Sequence, residues 1–201
     1  MIPCRLGPYQ ADTRNLLNAY KKLGSPPLRT ICECAVGPFS LLVPYAAVAG
    51  RTILIEPDPA MAAQARGIYP WAEVFETAIA AAGGTAVLRR LYGSSFISGI
   101  PFAPAKSANF ARAARSAKIE VKTMPFSEID DGKIDLLNLD CEGSEWFVLS
   151  SMISRPLMIY VELCRKNHYR TQILQWFRDN GYRRMTGVKE RGVNRFYVRG
   201  V

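Results

Sequence analysis

Gly37 and Glu56 stand 19 residues apart in a pattern that recognises a nucleoside. Gly37 lies in the turn Ala35-Val36-Gly37-Pro38-Phe39-Ser40, after the apolar stretch Thr30-Ile31-Cys32-Glu33-Cys34, and Glu56 closes Thr52-Ile53-Leu54-Ile55. Such a turn lets backbone approach a ligand, and an acid about 20 residues later accepts hydrogen bonds from ribose hydroxyls. A second concentration of chemistry is Asp140-Cys141-Glu142-Gly143-Ser144-Glu145, with three acids in six residues. Carboxylates so close repel one another unless they face water, partners or a ligand. Ser144 as a helix N-cap and Glu145 in the first helical turn have a structural role available, which leaves Asp140 and Glu142 as the candidates.

The turn at Gly37 has one glycine. A dinucleotide turn carries three and aims a helix N-terminus at a pyrophosphate, and a P-loop ends in Gly-Lys-Ser/Thr; neither pattern is met here. The simplest remaining nucleoside is one without phosphates. S-adenosylmethionine fits: its ribose needs an acid such as Glu56, and its cationic end suits carboxylates such as Glu33.

The elements that must position these residues alternate strand and helix. Both opening strands are short, apolar and bounded by Gly or Pro, as buried parallel strands are. Before them come an irregular arm over residues 1–10, a helix capped by Asp12 or Thr13 and running to Leu23, and the rigid lead Ser25-Pro26-Pro27. After them come an alanine-rich helix from Asp58 or Pro59 to Gly67, a short strand over 72–75, and a strand over 134–140 that leads into the acid cluster. A helix from about Ser144 to Met152, a strand over 157–164, a helix over 169–180 and a terminal antiparallel pair complete the pattern. This order predicts an α/β fold with ligands beyond the C-terminal ends of the strands. Residues 83–125 break the alternation with a predicted hairpin and a long loop, the form of a substrate-facing excursion. The loop's basic residues Lys106, Arg112, Arg115 and Lys118 could meet an anion.

The 201 residues suit a single domain, here 1–201 with an N-terminal arm and helix over 1–28. The longest apolar run, from Leu41 to Gly50, is too short for a bilayer span and is broken by Pro44. Five cysteines without metal spacing, and no signal segment, predict core thiols in the cytoplasm. The net charge of +9 is concentrated at the end: residues 164–201 hold ten Lys or Arg against Asp179 and Glu190. Such a segment is a solvated face, an attractor for a phosphate-bearing substrate, or a nucleic-acid contact.

With these residues in view the sequence resembles the FkbM-type methyltransferases, a branch of the class I S-adenosylmethionine-dependent enzymes. The resemblance rests on the run from Glu33 to Ser40, on Glu56-Pro57-Asp58-Pro59, on Gly93-Ser94-Ser95-Phe96, on Ile134-Asp135-Leu136-Leu137 with Asp140-Cys141-Glu142-Gly143, and on Tyr160-Val161-Glu162. It implies a Rossmann-like fold with a seven-stranded, mostly parallel sheet, an antiparallel last pair and helices on both faces. It implies methyl transfer, usually to an oxygen of a sugar, polyketide or other small metabolite. Carried onto this chain, Glu33, Ala35 and Gly37, with Ser40 of the same motif, surround the aminoacyl group. Glu56 with Pro57 meets the ribose, Ala78 lies near the adenine, and Asp140 lies near the amine or the transferring methyl. Ala35 departs from the glycine that most class I turns carry, and its methyl crowds the cofactor's approach.

Transfer to a hydroxyl requires alignment and removal of a proton. The candidate bases are Asp140, Glu142 and the single histidine, His168, whose unperturbed pKa suits the task. Two acids do not fill the coordination sphere of a divalent metal, so none is expected. Two rivals accompany small-molecule O-methylation: an RNA or other nucleic-acid methyltransferase on the same fold, suggested by the basic C-terminal segment, and a catalytically silent cofactor-binding or interaction protein, suggested by Ala35.

Overall fold

The computed structural model describes residues 10–37, 39–91, 95–100, 117–164, 167–190 and 192–200. Their main sheet is built from β1 (Leu28–Cys34), β2 (Ala49–Ile55), β3 (Glu73–Phe75), β8 (Ile134–Leu139), β9 (Met158–Glu162), β10 (Tyr182–Arg184) and β11 (Asn194–Arg199), in the order β10-β11-β9-β8-β1-β2-β3. β1 pairs in parallel with β2 and β8, and β8 with β9; β11 runs antiparallel to both β9 and β10. This is the predicted seven-stranded arrangement with its antiparallel last pair.

The apolar runs of the central strands are buried on both faces. Ile31, Leu136, Met158 and Tyr160 pack on one side with Leu16, Ala19 and Tyr20 of α1 (Gln10–Lys22). Cys32, Cys34, Leu137, Leu139, Ile159 and Val161 pack on the other with α4 (Glu145–Ser151) and α5 (Arg170–Asp179). Each fully buried aliphatic side chain contributes about 1.5–3 kcal/mol, so these strands are the stable frame of the site. The thiols of Cys32 and Cys34 share one core, as their spacing predicts, and Cys141 and Cys164 are free as well.

Helix α1 starts earlier than predicted, already at Gln10, so Asp12 and Thr13 lie inside it and do not cap it. Its end follows expectation: Gly24 turns left-handed (φ 82°) and the Ser25 amide donates to the Tyr20 carbonyl. α2 (Val43–Ala46) is the short return to β2, and α3 (Pro59–Ile68) begins where Asp58 accepts from the Ala60 amide. Ser144 stands at the N-cap of α4 but makes no capping bond with its side chain.

The excursion forms a second sheet, in the order β4-β7-β5-β6, from β4 (Ala78–Ile79), β5 (Gly84–Arg89), β6 (Phe96–Ile97) and β7 (Lys118–Met124). β5 and β7 are the predicted hairpin strands. The pairing of Ala78 and Ile79 with Thr123 and Met124 joins this sheet to the chain just after β3. Gly93, Ser94, Lys106, Arg112, Arg115, Arg165, Lys166, Arg191 and the arm over residues 1–9 lie outside the described residues.

At the N-terminal edge the buried carboxylate of Asp130 ties β8 to the segment after α4. It accepts from the amides of Gly132 (2.9 Å), Ile153 (2.7 Å) and Ser154 (2.7 Å) and from the Ser154 hydroxyl.

Candidate active site

Two turns at the C-terminal edge of the sheet, after β1 and after β8, form the candidate site, and a buried carboxylate stands behind each. Glu33 accepts from the Leu41 amide (3.1 Å) and Asn138 Nδ2 (2.9 Å) with one oxygen, and from the Leu42 amide (3.3 Å) and the Ser40 hydroxyl with the other. Four donors use the acceptor capacity of a carboxylate. Glu33 and Ser40 therefore brace the turn from behind. Burial pushes the Glu33 carboxyl up to about 7, against the hydrogen bonds that favour its charged form.

Glu145 does the same for the second turn. It accepts from the amides of Cys141 (3.2 Å) and Gly143 (3.1 Å) and from Asn167 Nδ2 (2.9 Å), and burial pushes it up to about 6. Its carboxylate reaches back to amides ahead of its own helix and so braces the turn, while Ser144 supplies no side-chain cap.

The remaining acids line the edge. Glu56 follows β2, is buried, and accepts the Gly37 amide at Oε2 and the Asp58 amide at Oε1, each at 2.9 Å. Burial raises its pKa, opposed by those two amides. One bond per oxygen leaves a lone pair on each for a further donor. At Gly37 (φ 58°) the space that a Cβ would enter is open to 4 Å. Pro57 is half-buried between Glu56 and Asp58, and Ala78 is buried on β4. An acid with two free acceptor positions beside an open turn suits the ribose of S-adenosylmethionine.

Asp140 and Glu142 are joined by a residue that the sequence did not single out as a site residue, Glu162 at the end of β9. One carboxylate oxygen from each of the three lies within 4.8 Å of the others. The register that sets Leu139 beside Val161 carries on to set Asp140 beside Glu162. Both strands ending in an acid was the signal available in the sequence, but it requires knowing that the strands are neighbours. Glu162 is pushed up to about 10, by burial first and then by the charges of Asp140 and Glu142. The third acid removes the argument that too few oxygen ligands are present for a divalent cation. His168 is exposed on the turn before α5, its ring edge-on to Tyr169 at 4.9 Å, and is not one of this group.

Backbone strain collects at the same edge. Among the described residues, three that are not glycine have positive φ, and two of them are Ala35 (62°) and Glu142 (49°). Strained conformations of this kind cost about 1–3 kcal/mol and cluster at functional sites. Ala35→Gly relieves a left-handed cost of about 1–2 kcal/mol and adds about 0.5–1 kcal/mol of unfolded-state freedom. The variant is expected to be about 0.5–1 kcal/mol more stable and to bind S-adenosylhomocysteine more tightly, as a thermal scan with and without that ligand will read.

Glu33, Glu145 and Glu162 all titrate above the usual carboxyl value of about 4.3. Above that pH the unfolded chain releases protons that the fold retains. Their contribution to stability is therefore fully present below about pH 4.3 and is lost as pH rises toward the folded values, the last at about 10. Glu162→Gln is expected to raise stability at pH 8 by on the order of 2 kcal/mol and to leave it unchanged near pH 4. Denaturant melts at the two pH values check this, and an equal effect at both would contradict it.

Comparison with known proteins agrees with this geometry. A family model, the methyltransferase FkbM domain, matches residues 35–184. The chain belongs to the FkbM methyltransferase family. Among solved structures, an FkbM methyltransferase of Methylobacillus flagellatus superimposes with a TM-score of 0.55 at 13% identity, over 86% of this chain and 44% of that one. This chain thus spans less than half of that relative's length. The magnesium protoporphyrin IX methyltransferase of Synechocystis, with S-adenosylmethionine bound, gives 0.53 at 12% identity, over 96% of this chain and 80% of that one. A candidate RNA methyltransferase of Pyrococcus horikoshii gives 0.53 at 12% identity, over 98% and 86%. No curated protein matches the chain. The FkbM protein therefore has the class I methyltransferase fold, and S-adenosylmethionine is the cofactor against which its site is to be tested.

Proposed function

We propose that this FkbM protein is an S-adenosylmethionine-dependent methyltransferase acting on a hydroxyl of a small metabolite or sugar. The observation that carries the reading is the cluster of Asp140, Glu142 and Glu162 at the strand ends, one strand away from the Gly37–Glu56 turn. The cofactor, when bound, supplies an electrophilic methyl group on its sulfonium. Glu56, with Pro57 beside it, accepts the ribose hydroxyls, Gly37 and Ala35 present backbone to the aminoacyl group, and Ala78 lies beside the adenine. Asp140 and Glu142 put negative charge beside the cationic end. As the acceptor oxygen gains the methyl, its O–H bond breaks and the proton passes to the carboxylate cluster, with Asp140 as the base and Glu162 and Glu142 setting its basicity. His168, exposed beyond β9, is the alternative base.

Incubation with methyl-labelled cofactor and a panel of sugars, phenols and hydroxy acids tests the reading. Label is expected in a hydroxyl-bearing product and to fall by at least about 100-fold in Asp140→Asn, within the range that general base catalysis contributes. Labelling of nitrogen acceptors alone would contradict it.

RNA methylation is favoured by one observation, the basic C-terminal segment. In the fold, Arg183 and Arg184 are exposed on the edge strand β10, where charge also guards against strand pairing between molecules, and Arg184 and Arg195 both pair with Glu190. That is support for a solvated face, or for an anionic small acceptor, over a nucleic-acid groove. Retention of RNA with a steep salt dependence would reverse this preference. The four cysteines among the described residues are free, which suits a reducing cytoplasm, and no helix among those residues is long and apolar enough to cross a membrane.

A further inference from the structure

We propose that Arg90 is a positioning residue for the nucleoside end of the site, fixing Glu56 through Asp58. The proposal rests on the reading of Glu56 as the ribose acceptor. Arg90 lies immediately after β5, in the second sheet, yet its guanidinium grips an acid of the main sheet's edge: Nε donates to Asp58 Oδ2 at 2.6 Å and Nη2 to Oδ1 at 2.5 Å. Asp58 in turn donates its amide to Glu56 Oε1 (2.9 Å), while Glu56 Oε2 receives Gly37 (2.9 Å). A continuous chain of bonds thus runs from Arg90 to the turn that faces the ligand.

Capping α3 does not account for this fork. The cap needs one oxygen, Oδ1, which takes the Ala60 amide (2.9 Å), whereas among the bonds described Oδ2 receives Arg90. The Asp58 side chain is 8% exposed and that of Arg90 39%, so the fork closes over a buried carboxylate while the guanidinium keeps one side in water. Asp58 also stands two residues from Glu56, and its charge raises the Glu56 pKa. The Arg90 guanidinium counters that charge and helps keep Glu56 ionised, the form that only accepts hydrogen bonds. The Arg90 amide meanwhile donates to the Ala117 carbonyl (2.9 Å), so the same residue joins the two ends of the excursion to the cofactor edge.

The test is calorimetric titration of the whole chain with S-adenosylhomocysteine and with its 2′-deoxy analogue, using wild type, Arg90→Ala, Arg90→Lys and Glu56→Ala. Arg90→Ala is expected to weaken S-adenosylhomocysteine roughly tenfold, the size seen when a hydrogen-bonded support is removed from behind a ligating group. It should weaken the 2′-deoxy analogue much less, because the loss acts through the ribose acceptor. Arg90→Lys keeps the charge without the fork and is expected to recover only part of the affinity. Equal losses for both ligands, or no loss, would overturn the proposal and leave Glu56 in place if Glu56→Ala still abolishes binding. Failure of wild type to bind would overturn the reading of Glu56 and this proposal together. Should the alanine variant not fold, Arg90→Lys and Arg90→Gln carry the same comparison between ligands.

Discussion

Glu56→Ala is expected to weaken S-adenosylhomocysteine binding by at least about 100-fold while leaving a folded protein. Hydrogen bonds to a charged acceptor are each worth about 1.5–3 kcal/mol, and the two free lone pairs of Glu56 offer two such bonds to ribose hydroxyls. The cost to the fold is limited. Glu56 is buried with its pKa raised, so the fold does not favour its charge, and what the variant loses is the acceptor of two amides, Gly37 and the buried Asp58, at about 1–3 kcal/mol for the latter. Glu56→Gln keeps one acceptor oxygen and is expected to fall between, at about tenfold. Calorimetry on both variants, with circular dichroism to check folding, measures this. Wild-type affinity in a folded Glu56→Ala protein would remove Glu56 from the site.

Asp130→Ala is expected to act in the opposite way, costing about 3–4 kcal/mol of stability without touching the ligand in whatever fraction remains folded. Asp130 sits at the N-terminal edge of β8, the far end of the strand from Asp140. Its carboxylate answers three amides and a hydroxyl, and Ser154, which supplies two of those donors, is itself buried and returns its hydroxyl oxygen to the Ile134 amide (2.9 Å). Removing one partner of a buried, charged hydrogen-bond network leaves donors unsatisfied at the full desolvation cost. At roughly 2–4 °C per kcal/mol the melting temperature should fall by about 10 °C, with Asp130→Asn intermediate. A fall of less than about 2 °C would mean that water replaces the carboxylate.

These two residues also mark what the sequence reveals and what it does not. The central strands were legible because burial on both faces forces short apolar runs, as in Thr52-Ile53-Leu54-Ile55 and Ile134-Asp135-Leu136-Leu137, between Gly and Pro breaks. Glu56 was legible because its spacing from Gly37 reflects one local unit of strand, turn and strand. Glu162 was not, since its partnership with Asp140 depends on the register of parallel strands joined through a helix, and nothing local encodes that. Glu33 looked like a ligand contact from its place beside the turn, but its donors at Ser40, Leu41 and Leu42 come from a return whose path the sequence leaves open. Ser144 looked like a cap because serine favours that position; it stands there without a side-chain bond, and Glu145 braces the amides ahead of the helix. The two-residue strand β4 is too short to carry a periodic signal, and only its partner β7 defines it.

The central claim is that this edge of the sheet holds S-adenosylmethionine, and a thermal unfolding scan of the wild-type chain with S-adenosylhomocysteine tests it most directly. At about one hundred times its dissociation constant, a ligand that binds only the folded state adds about 2.7 kcal/mol. For a chain of this size that is a rise in melting temperature of about 5–10 °C, which is the result expected. An unchanged melting temperature across a millimolar titration would contradict the claim, and would place Ala35 and the bonded Gly37–Glu56 turn as a closed door to the cofactor.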